Sequence, residues 1–160
     1  MVIVEDVVQN LTDYLTGKKV LEGACGNSHF SIAAAKYAKE VLATDISLER
    51  AQKNCKGSLP DNLRFEKMNV ADMNLEDGSF DVVVCFNALG HLRELLEPVL
   101  SEMVRATAQN GCLMFIATWK MDRVHFDEVR KIINKDDKLE LTESIENNKY
   151  NVMIIKKTVT

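Results

Sequence analysis

The sequence contains no apolar run as long as the roughly 20 residues that a membrane-spanning helix needs. Its first residues, Met1–Val8, carry acidic side chains where a secretory signal would carry basic ones. The four cysteines form no Cys-x-x-Cys pair, which argues against a thiolate metal site and against a redox pair. We therefore expect a cytoplasmic protein with reduced thiols, no membrane segment and no bound metal.

An excess of positive charge is also missing. Lysine and arginine number 20 against 24 aspartates and glutamates, so the formal net charge is −4. This balance argues against a large nonspecific affinity for nucleic acid. With 46% apolar and 28% charged residues, the composition is that of a globular protein, and a length of 160 residues predicts a single domain over residues 1–160.

Short apolar runs alternate with helical patterns along the chain. Strands are predicted at 18–24, 40–46, 63–70, 77–87 (after a turn), 112–119, 138–146 and 149–158, and helices at 5–15, 28–39, 47–57, 98–111 and 122–135. Ser47 and Asp122 are the expected caps of two helices, and Gly57 and Gly111 mark the expected ends of two. The alternation indicates an α/β protein with a mostly parallel sheet and a closing antiparallel hairpin.

The stretch Val20–Phe30, VLEGACGNSHF, indicates a strand that turns into a helix beside a ligand. Glycine lets the backbone approach a bound molecule without side-chain bulk, and Gly26 is best placed for this. The six residues from Gly23 read G-A-C-G-N-S, so the G-x-G-x-x-G pattern of dinucleotide sites is absent. An ordinary strand-to-helix turn remains the alternative.

Asp45 ends the second predicted strand, 19 residues after Gly26. A carboxylate at this point can accept hydrogen bonds from both hydroxyls of a ribose, which is why adenosine-containing cofactors use an acid there. Asp45 therefore favours an adenosine ligand without saying which one. The alternative is a turn aspartate ahead of Ser47.

Several segments together resemble a class I S-adenosylmethionine-dependent methyltransferase of the branch often called type 11. They are VLEGACGNSHFSIAAA, VLATDIS, MNVADMNLEDGSFDVVVCFNALGHL and LSEMVRATAQNGCLMFIA, within residues 18–118. The resemblance implies a Rossmann-like, doubly wound sheet of seven strands with a C-terminal antiparallel hairpin, in a small core-only member of the family. It also implies S-adenosyl-L-methionine as the cofactor.

The resemblance assigns cofactor roles by position. Glu22 corresponds to the acid of the family's first strand, and Asp45 to the acid that binds the ribose. Asn69 stands where the family commonly has an aspartate that contacts the adenine amino group. The implied cofactor-binding residues are Glu22, Gly23, Ala24, Gly26, Ser28, Asp45, Ile46, Asn69, Val70, Phe86 and Asn87.

Three residues depart from the family pattern. Ala24 and Ser28 occupy glycine positions, and alanine is a mild change there unless the turn needs a positive φ. Asn69 keeps an acceptor oxygen but loses the charge. With these changes, one alternative function stays open, namely a catalytically silent module that holds S-adenosylmethionine or S-adenosylhomocysteine and acts with a partner protein.

His91 is the candidate catalytic residue. It follows the fourth strand, where this fold places its reacting centre, and an imidazole can accept a proton near neutral pH. A structural histidine at a helix start is the alternative. Trp119, at the end of the fifth strand, is a candidate wall of the acceptor site, whereas His125 is more simply explained as a surface helix residue.

The sequence thus predicts methyl transfer from S-adenosylmethionine to an unidentified acceptor, with a small molecule favoured. The segment Cys85–Leu89 lacks an Asn-Pro-Pro-Tyr type of motif, and Cys85 lacks a preceding proline, which argues against nucleobase targets. A dinucleotide oxidoreductase is the third hypothesis, and the missing glycines count against it. An open acceptor site leaves room for a partner subunit or a second copy of the chain.

Overall fold

A computed structural model describes residues 2–55 and 58–158 of the chain. The strands are β1 (Lys19–Gly23), β2 (Glu40–Asp45), β3 (Leu63–Lys67), β4 (Phe80–Phe86), β5 (Thr107–Ala117), β6 (Leu139–Glu146) and β7 (Asn151–Lys157). The helices are α1 (Val2–Asn10), α2 (Thr12–Leu15), α3 (His29–Ala34), α4 (Glu49–Asn54), α5 (Leu89–Leu92), α6 (Leu96–Ala106), α7 (Lys120–Arg123) and α8 (Phe126–Ile133), with a 3₁₀ turn at Arg93–Leu95. The predicted alternation of strands and helices is confirmed.

The strands form one seven-stranded sheet in the order β3-β2-β1-β4-β5-β7-β6. The pairs among β3, β2, β1, β4 and β5 are parallel, and β7 runs antiparallel to both β5 and β6. The chain moves outward from β1 to β3 and then returns to β4 on the other side of β1, so the strand order reverses between β1 and β4. The doubly wound, mostly parallel sheet with a C-terminal antiparallel hairpin is therefore confirmed.

Strand β4 shows how the sheet is covered on both faces. Val82 and Val84 belong to the apolar layer that includes α1 and α3, whereas Val83 and Cys85 belong to the layer that includes α6. All four side chains are buried. Because successive side chains of a strand point to opposite faces, a continuous apolar run is what a central parallel strand requires.

The predicted end of the helix that contains Pro98 is wrong. Pro98 lies in the first turn of α6 as expected, but α6 ends at Ala106. Thr107 has extended backbone angles and begins β5, so Gly111 lies inside a strand. A Cβ on Gly111 would lie 2.6 Å from the carbonyl oxygen of Asp81, so this glycine allows close packing of neighbouring strands.

Two predicted helix caps are also wrong. The helix expected to begin at Asp122 is divided into α7 and α8, and Asp122 lies inside α7 with only 2% of its surface exposed. The N-cap of α4 is Leu48, and the Ser47 hydroxyl lies 3.5 Å from the amide nitrogen of Glu49, at the limit of a hydrogen bond. Asp122 is buried and bonds to the amide of Gly90 instead of capping a helix, and Ser47 lies one residue before the N-cap of α4.

The third strand is shorter than predicted. β3 ends at Lys67, and the expected end at Val70 lies in a turn in which Asn69 forms an isolated bridge with Asp72. The helix end expected at Gly57 lies outside the described residues. Within the part of the chain that the structure describes, no helix is long and apolar enough to cross a bilayer.

Candidate active site

The predicted cofactor residues come together at one edge of the sheet. β1 ends at Gly23, β2 at Asp45 and β4 at Phe86, and parallel pairing brings these three ends side by side. Every predicted cofactor residue lies at a strand end or in the loops that follow β1, β2, β3 and β4. In open parallel sheets, ligands bind in the crevice where the strand order reverses, which here is between β1 and β4.

The turn after β1 has a left-handed backbone at three positions. The φ angle is 54° at Ala24, 55° at Gly26 and 65° at Ser28. Residues other than glycine adopt such angles at a cost of about 1–2 kcal/mol each. Ala24 is therefore not the mild substitution that was expected, because the turn needs a positive φ at this position. The chain keeps a glycine-type conformation at both substituted positions.

The two glycines of the turn serve different contacts. A Cβ on Gly23 would lie 2.6 Å from Cγ2 of Val70, so this glycine lets the end of β1 pack against the loop after β3. A Cβ on Gly26 would lie 3.4 Å from Nη1 of Arg50, which extends from α4. The absence of a side chain at Gly23 thus allows β1 to pack against Val70, whereas at Gly26 it leaves space beside the guanidinium of Arg50.

Asp45 joins the end of β2 to the glycine turn. Its Oδ2 accepts a hydrogen bond from the amide of Gly26 at 2.8 Å, and its Oδ1 accepts a longer one from the amide of Ser47 at 3.3 Å. A carboxylate offers about four lone-pair sites, so about two stay available to other donors. The half-buried Asp45 can therefore hold the turn and accept hydroxyl groups at the same time.

Glu22 is a buried carboxyl group at the end of β1, with 1% of its surface exposed. Its Oε1 accepts a hydrogen bond from the Ser31 hydroxyl at 2.6 Å. Burial raises the pKa of Glu22 to about 8, because the charged form is poorly solvated there, and the hydrogen bond from Ser31 opposes the rise. At neutral pH the carboxyl group is therefore mainly protonated.

The loops after β2 and β3 carry three further predicted residues. Ile46 follows Asp45 and is 72% exposed, whereas Val70 is buried. Asn69 is exposed, and its Oδ1 accepts a hydrogen bond from the amide of Ala71 at 2.9 Å. The acceptor oxygen expected to meet an adenine amino group is thus already engaged in a local turn, with one lone pair left.

Phe86 and Asn87 close the end of β4. The ring of Phe86 stacks on Phe30 of α3, with 5.6 Å between the ring centroids. Asn87 has a φ of 52°, and its side-chain amide donates to Oγ1 of Thr118 at 2.7 Å and accepts from the amide of Thr118 at 2.7 Å. Asn87 therefore ties the end of β4 to the end of β5, and both polar groups of its side chain take part.

A buried carboxyl group positions the helix that carries His91. Oδ1 of Asp122, in α7, accepts a hydrogen bond from the amide of Gly90, in α5, at 2.8 Å. His91 itself is exposed, and Trp119, just before α7, is 56% exposed. The predicted base and the predicted wall therefore lie on neighbouring segments that one buried contact joins.

The other two histidines have different surroundings. His29 follows the glycine turn, its Nδ1 lies 3.0 Å from Nδ2 of Asn54, and burial is the main cause that lowers its pKa. His125 is half-buried at the start of α8, with its Nδ1 3.9 Å from Oε1 of Glu128, so the expectation of a surface helix histidine is wrong. In residues 2–55 and 58–158, no group of three or more histidine, cysteine, aspartate or glutamate side chains is arranged to hold a metal ion.

Buried side-chain polar atoms without a hydrogen-bond partner among the described residues fall into two groups. Glu22 Oε2 and Ser28 Oγ belong to the glycine turn, and Asp122 Oδ2, Arg123 Nε and His125 Nδ1 to the segment after β5. A buried polar atom without a hydrogen bond lowers the stability of the fold by about 1–3 kcal/mol, so at both places a hydrogen bond to water or to a ligand is expected. The donors and acceptors of the turn thus suit a polar ligand with hydroxyl or amino groups.

Contacts between residues distant in the sequence complete this edge of the sheet, and they were not predicted from the sequence. Thr118 and Asn87 are 31 positions apart, and Asp122 and Gly90 are 32 apart. No local pattern signals such pairs. Ser31 is the exception, because it lies nine positions from Glu22, on the helix that follows the glycine turn, and a small hydroxyl residue there is a natural partner for a buried acid.

Comparison with known proteins gives one family. The sequence model of the family described as "Methyltransferase domain" matches residues 20–111. A curated relative from Mycobacterium tuberculosis, named "Probable S-adenosylmethionine-dependent methyltransferase Rv3030", is 32% identical over 108 residues, which cover 68% of this chain and 38% of the relative. This chain therefore spans well under half of that relative's length.

Solved structures with low sequence identity share the fold. A SAM-dependent methyltransferase from Aquifex aeolicus superposes with a TM-score of 0.80 at 16% identity and covers 96% of this chain and 89% of its own. Phosphoethanolamine N-methyltransferase 1 from Haemonchus contortus, solved with phosphoethanolamine and S-adenosylhomocysteine, gives 0.82 at 16% identity over 99% of this chain and 42% of its own. At these identities the likeness concerns the fold alone.

Proposed function

Because this chain belongs to the class I S-adenosylmethionine-dependent methyltransferases, we propose that it is an enzyme that transfers a methyl group from S-adenosylmethionine to a small-molecule acceptor. The observation that carries the proposal is the hydrogen bond from the Gly26 amide to the Asp45 carboxylate at the switch point of the sheet. The same turn keeps a strained, glycine-type backbone at Ala24 and Ser28. Strain of this kind persists where the surrounding structure imposes it, and it clusters at ligand sites.

The cofactor's adenosine part would lie against the ends of β2 and β3. Asp45 has lone pairs left for both ribose hydroxyls, and the exposed Ile46 beside it offers an apolar surface. Asn69 and the backbone of Val70 would border the adenine. When bound, S-adenosylmethionine supplies a methyl group on a sulfonium sulfur, which a nucleophile of the acceptor can displace.

The cofactor's methionine part would lie against the ends of β1 and β4. Glu22 keeps an unpartnered oxygen there, and Phe86 is held in place by its stacking on Phe30. The backbone of Gly26 leaves room for close approach. Asn87 contributes by fixing the spacing of β4 and β5, since its side chain is occupied by Thr118.

His91 would take up the proton that the acceptor nucleophile loses. The side chain is exposed and therefore accessible to an acceptor, and its helix is positioned by the contact between Asp122 and Gly90. Trp119 would form a wall that excludes water. Alignment of the reacting groups supplies most of the rate in such a displacement, and the base adds to it.

A second candidate is a binding module that holds the cofactor without methyl transfer and acts with a partner protein. Its support is the departure from the family's glycine pattern at Ala24 and Ser28, which leaves the turn in place but with a strained backbone. The partner would be a separate subunit or a second copy of the chain.

The cellular setting is proposed from the side chains. The four cysteines are free, which accords with a reducing compartment such as the cytoplasm, and the net charge of −4 argues against nucleic acid as acceptor.

Residues 1–160 would fold as one domain. Limited proteolysis that released a stable fragment much shorter than the chain would contradict that expectation.

Isothermal titration calorimetry tests the cofactor. S-adenosylmethionine and S-adenosylhomocysteine should bind, whereas NAD and NADP should not. Transfer of the label from methyl-labelled S-adenosylmethionine to each member of a library of small acceptors then separates the enzyme from the module. Binding of NAD in preference to S-adenosylhomocysteine would overturn the proposal, and binding without turnover on any acceptor class would favour the module.

A further inference from the structure

Three large apolar side chains of the segment after β5 are exposed: 56% of Trp119, 57% of Met121 and 69% of Val124. We name these three residues the apolar rim. The segment is nevertheless anchored, because Asp122 lies among them, is buried and accepts a hydrogen bond from the amide of Gly90. A fixed backbone that presents apolar side chains to solvent is typical of a binding surface rather than of a loose loop.

Two cationic side chains flank the apolar rim without a carboxylate partner. In the ranges that the structure describes, no aspartate or glutamate oxygen lies within 4.0 Å of the side-chain nitrogens of Lys120 or Arg123. Arg123 is half-buried: its Nη1 donates to the carbonyl oxygen of Asn147 at 3.3 Å, and its Nε is buried without an acceptor. Lys120 is exposed and Arg123 only half-buried, so an anion from outside the chain can reach the exposed parts of both cations and supply the carboxylate-type partner that they lack.

The size of this surface suits a small molecule. Stable protein–protein interfaces use about 20–30 residues on each side, whereas here three apolar residues and two cations lie within the six residues from Trp119 to Val124. Small-molecule sites combine an apolar lining with a few placed polar groups. The apolar rim and its two cations have that composition.

We propose that the methyl acceptor is a small molecule with an apolar body and an anionic group, a carboxylate or a phosphate. The body packs on the apolar rim, and the anionic group pairs with Lys120 and Arg123. The inference rests on the proposed function, because the rim lies on the segment that contacts α5, the helix of His91. The ion pairs of the anionic group with Lys120 and Arg123 distinguish this acceptor from an uncharged apolar molecule.

The test uses Trp119, the only tryptophan of the sequence, as a reporter. Its fluorescence is followed while nonanoate, octyl phosphate, octanol or octylammonium is added below the micellar concentration, with S-adenosylhomocysteine present. The four probes share an alkyl chain and differ in charge. Both anions should bind at least about fivefold more tightly than octylammonium, because an ion pair at a partly exposed site contributes that order of affinity. The affinity of octanol should lie between that of the anions and that of octylammonium.

Matched variants locate the charge. Lys120→Met keeps the apolar stem of an exposed residue and should reduce the preference for the anions by about threefold. Lys39→Met removes an exposed lysine beside the start of β2, at the opposite end of the sheet, and should leave the preference unchanged. Lys120 is used because the half-buried Arg123 contacts the backbone and its loss would perturb the fold.

The outcomes separate this inference from the proposed function. Calorimetric binding of S-adenosylhomocysteine together with equal responses to all four probes would overturn the inference and leave the cofactor site intact. Equal loss of preference in the Lys120 and Lys39 variants would also overturn it, because the charge effect would then be general. Failure of S-adenosylhomocysteine to bind, with the anion preference retained, would overturn the proposed function and leave an anion-binding surface that is not a methyl-acceptor site.

Discussion

The glycine turn after β1 and the segment Trp119–His125 after β5 lie at the same edge of the sheet, yet they are built differently. Each lies beside one buried carboxyl group that accepts a hydrogen bond, Glu22 from Ser31 and Asp122 from Gly90, and each of these groups has a second oxygen without a partner among the described residues. The turn derives its shape from backbone angles that favour glycine. The segment derives its surface from exposed side chains on a short helix.

This difference separates the two functions proposed for the site. A turn defined by its backbone can hold a cofactor shared by a whole family, because changes of side chain leave the amide groups in place. A surface defined by side chains can change its chemistry one residue at a time, which suits the choice of an acceptor. Substitutions in the turn should therefore alter cofactor affinity, whereas replacement of exposed side chains after β5 or in α5 should alter turnover.

Replacement of His91 with alanine should have the largest effect. If the imidazole is the general base, turnover on the true acceptor falls by about 10²–10⁴-fold, and calorimetric affinity for S-adenosylhomocysteine stays the same. Full turnover in the variant would remove His91 from the chemistry.

The next largest effect is expected for Glu22→Gln, measured by urea unfolding between pH 5 and pH 9. Glu22 has a pKa raised to about 8 in the folded protein against 4.5 as the ordinary value. Between these values the unfolded chain loses the proton that the folded chain keeps. The carboxyl group's contribution to stability should therefore fall with rising pH, by up to about 1.4 kcal/mol per pH unit, and level off above pH 8.

Glutamine cannot ionise, so the stability of Glu22→Gln relative to wild type should rise from pH 5 to pH 8. Because the comparison is between two proteins at each pH, titration of other groups cancels. A constant difference across this range would mean that Glu22 is ionised in the folded protein at pH 5.

Asp45→Ala should weaken binding of S-adenosylhomocysteine by about 1.5–3 kcal/mol, the range for hydrogen bonds to a charged group. The variant also removes the acceptor of the Gly26 amide, so the turn loses its link to β2. Asp45→Asn is the matched control: it keeps one acceptor oxygen and should lose less affinity. Calorimetry with an unchanged dissociation constant for the alanine variant would show that the ribose lies elsewhere.

Asp122→Ala should lower stability by about 1–3 kcal/mol, because the half-buried amide of Gly90 is left without an acceptor. Asp122→Asn keeps an acceptor oxygen and should lose less. Both variants, assayed below their melting temperatures, should bind S-adenosylhomocysteine as the wild type does. A loss of cofactor affinity in folded Asp122→Asn would mean that the two regions are not independent.

The smallest effect is expected for Ala24→Gly. Relief of the strain at a φ of 54° outweighs the added freedom of the unfolded chain only slightly, so stability should rise by about 0.5 kcal/mol. Ala33→Gly, in the helical part of α3, is the control and should lose more than about 1 kcal/mol, because glycine is a poorer helix former and a buried methyl group is removed as well. Thermal unfolding that showed losses of equal size in both variants would argue against a strained turn.

The sequence by itself determined the order of the elements and which residues lie at the edge of the sheet where we propose that the cofactor binds. Periodicity and apolar runs are local signals, so the alternation of strands and helices, the doubly buried β4 and the closing hairpin followed from them. The acid at the end of β2 also followed, because its spacing from Gly26 is a property of the chain and not of its packing.

Only the tertiary structure decided the state of the side chains at that edge. The positive φ of Ala24, the raised pKa of Glu22 and the occupied amide of Asn87 depend on what surrounds each residue. Asp122 shows the reason most clearly. A local pattern makes it a helix cap, but a contact 32 positions away places it in the interior beside Gly90. Burial and hydrogen bonds between distant residues arise when the chain packs, so no stretch of sequence carries them alone.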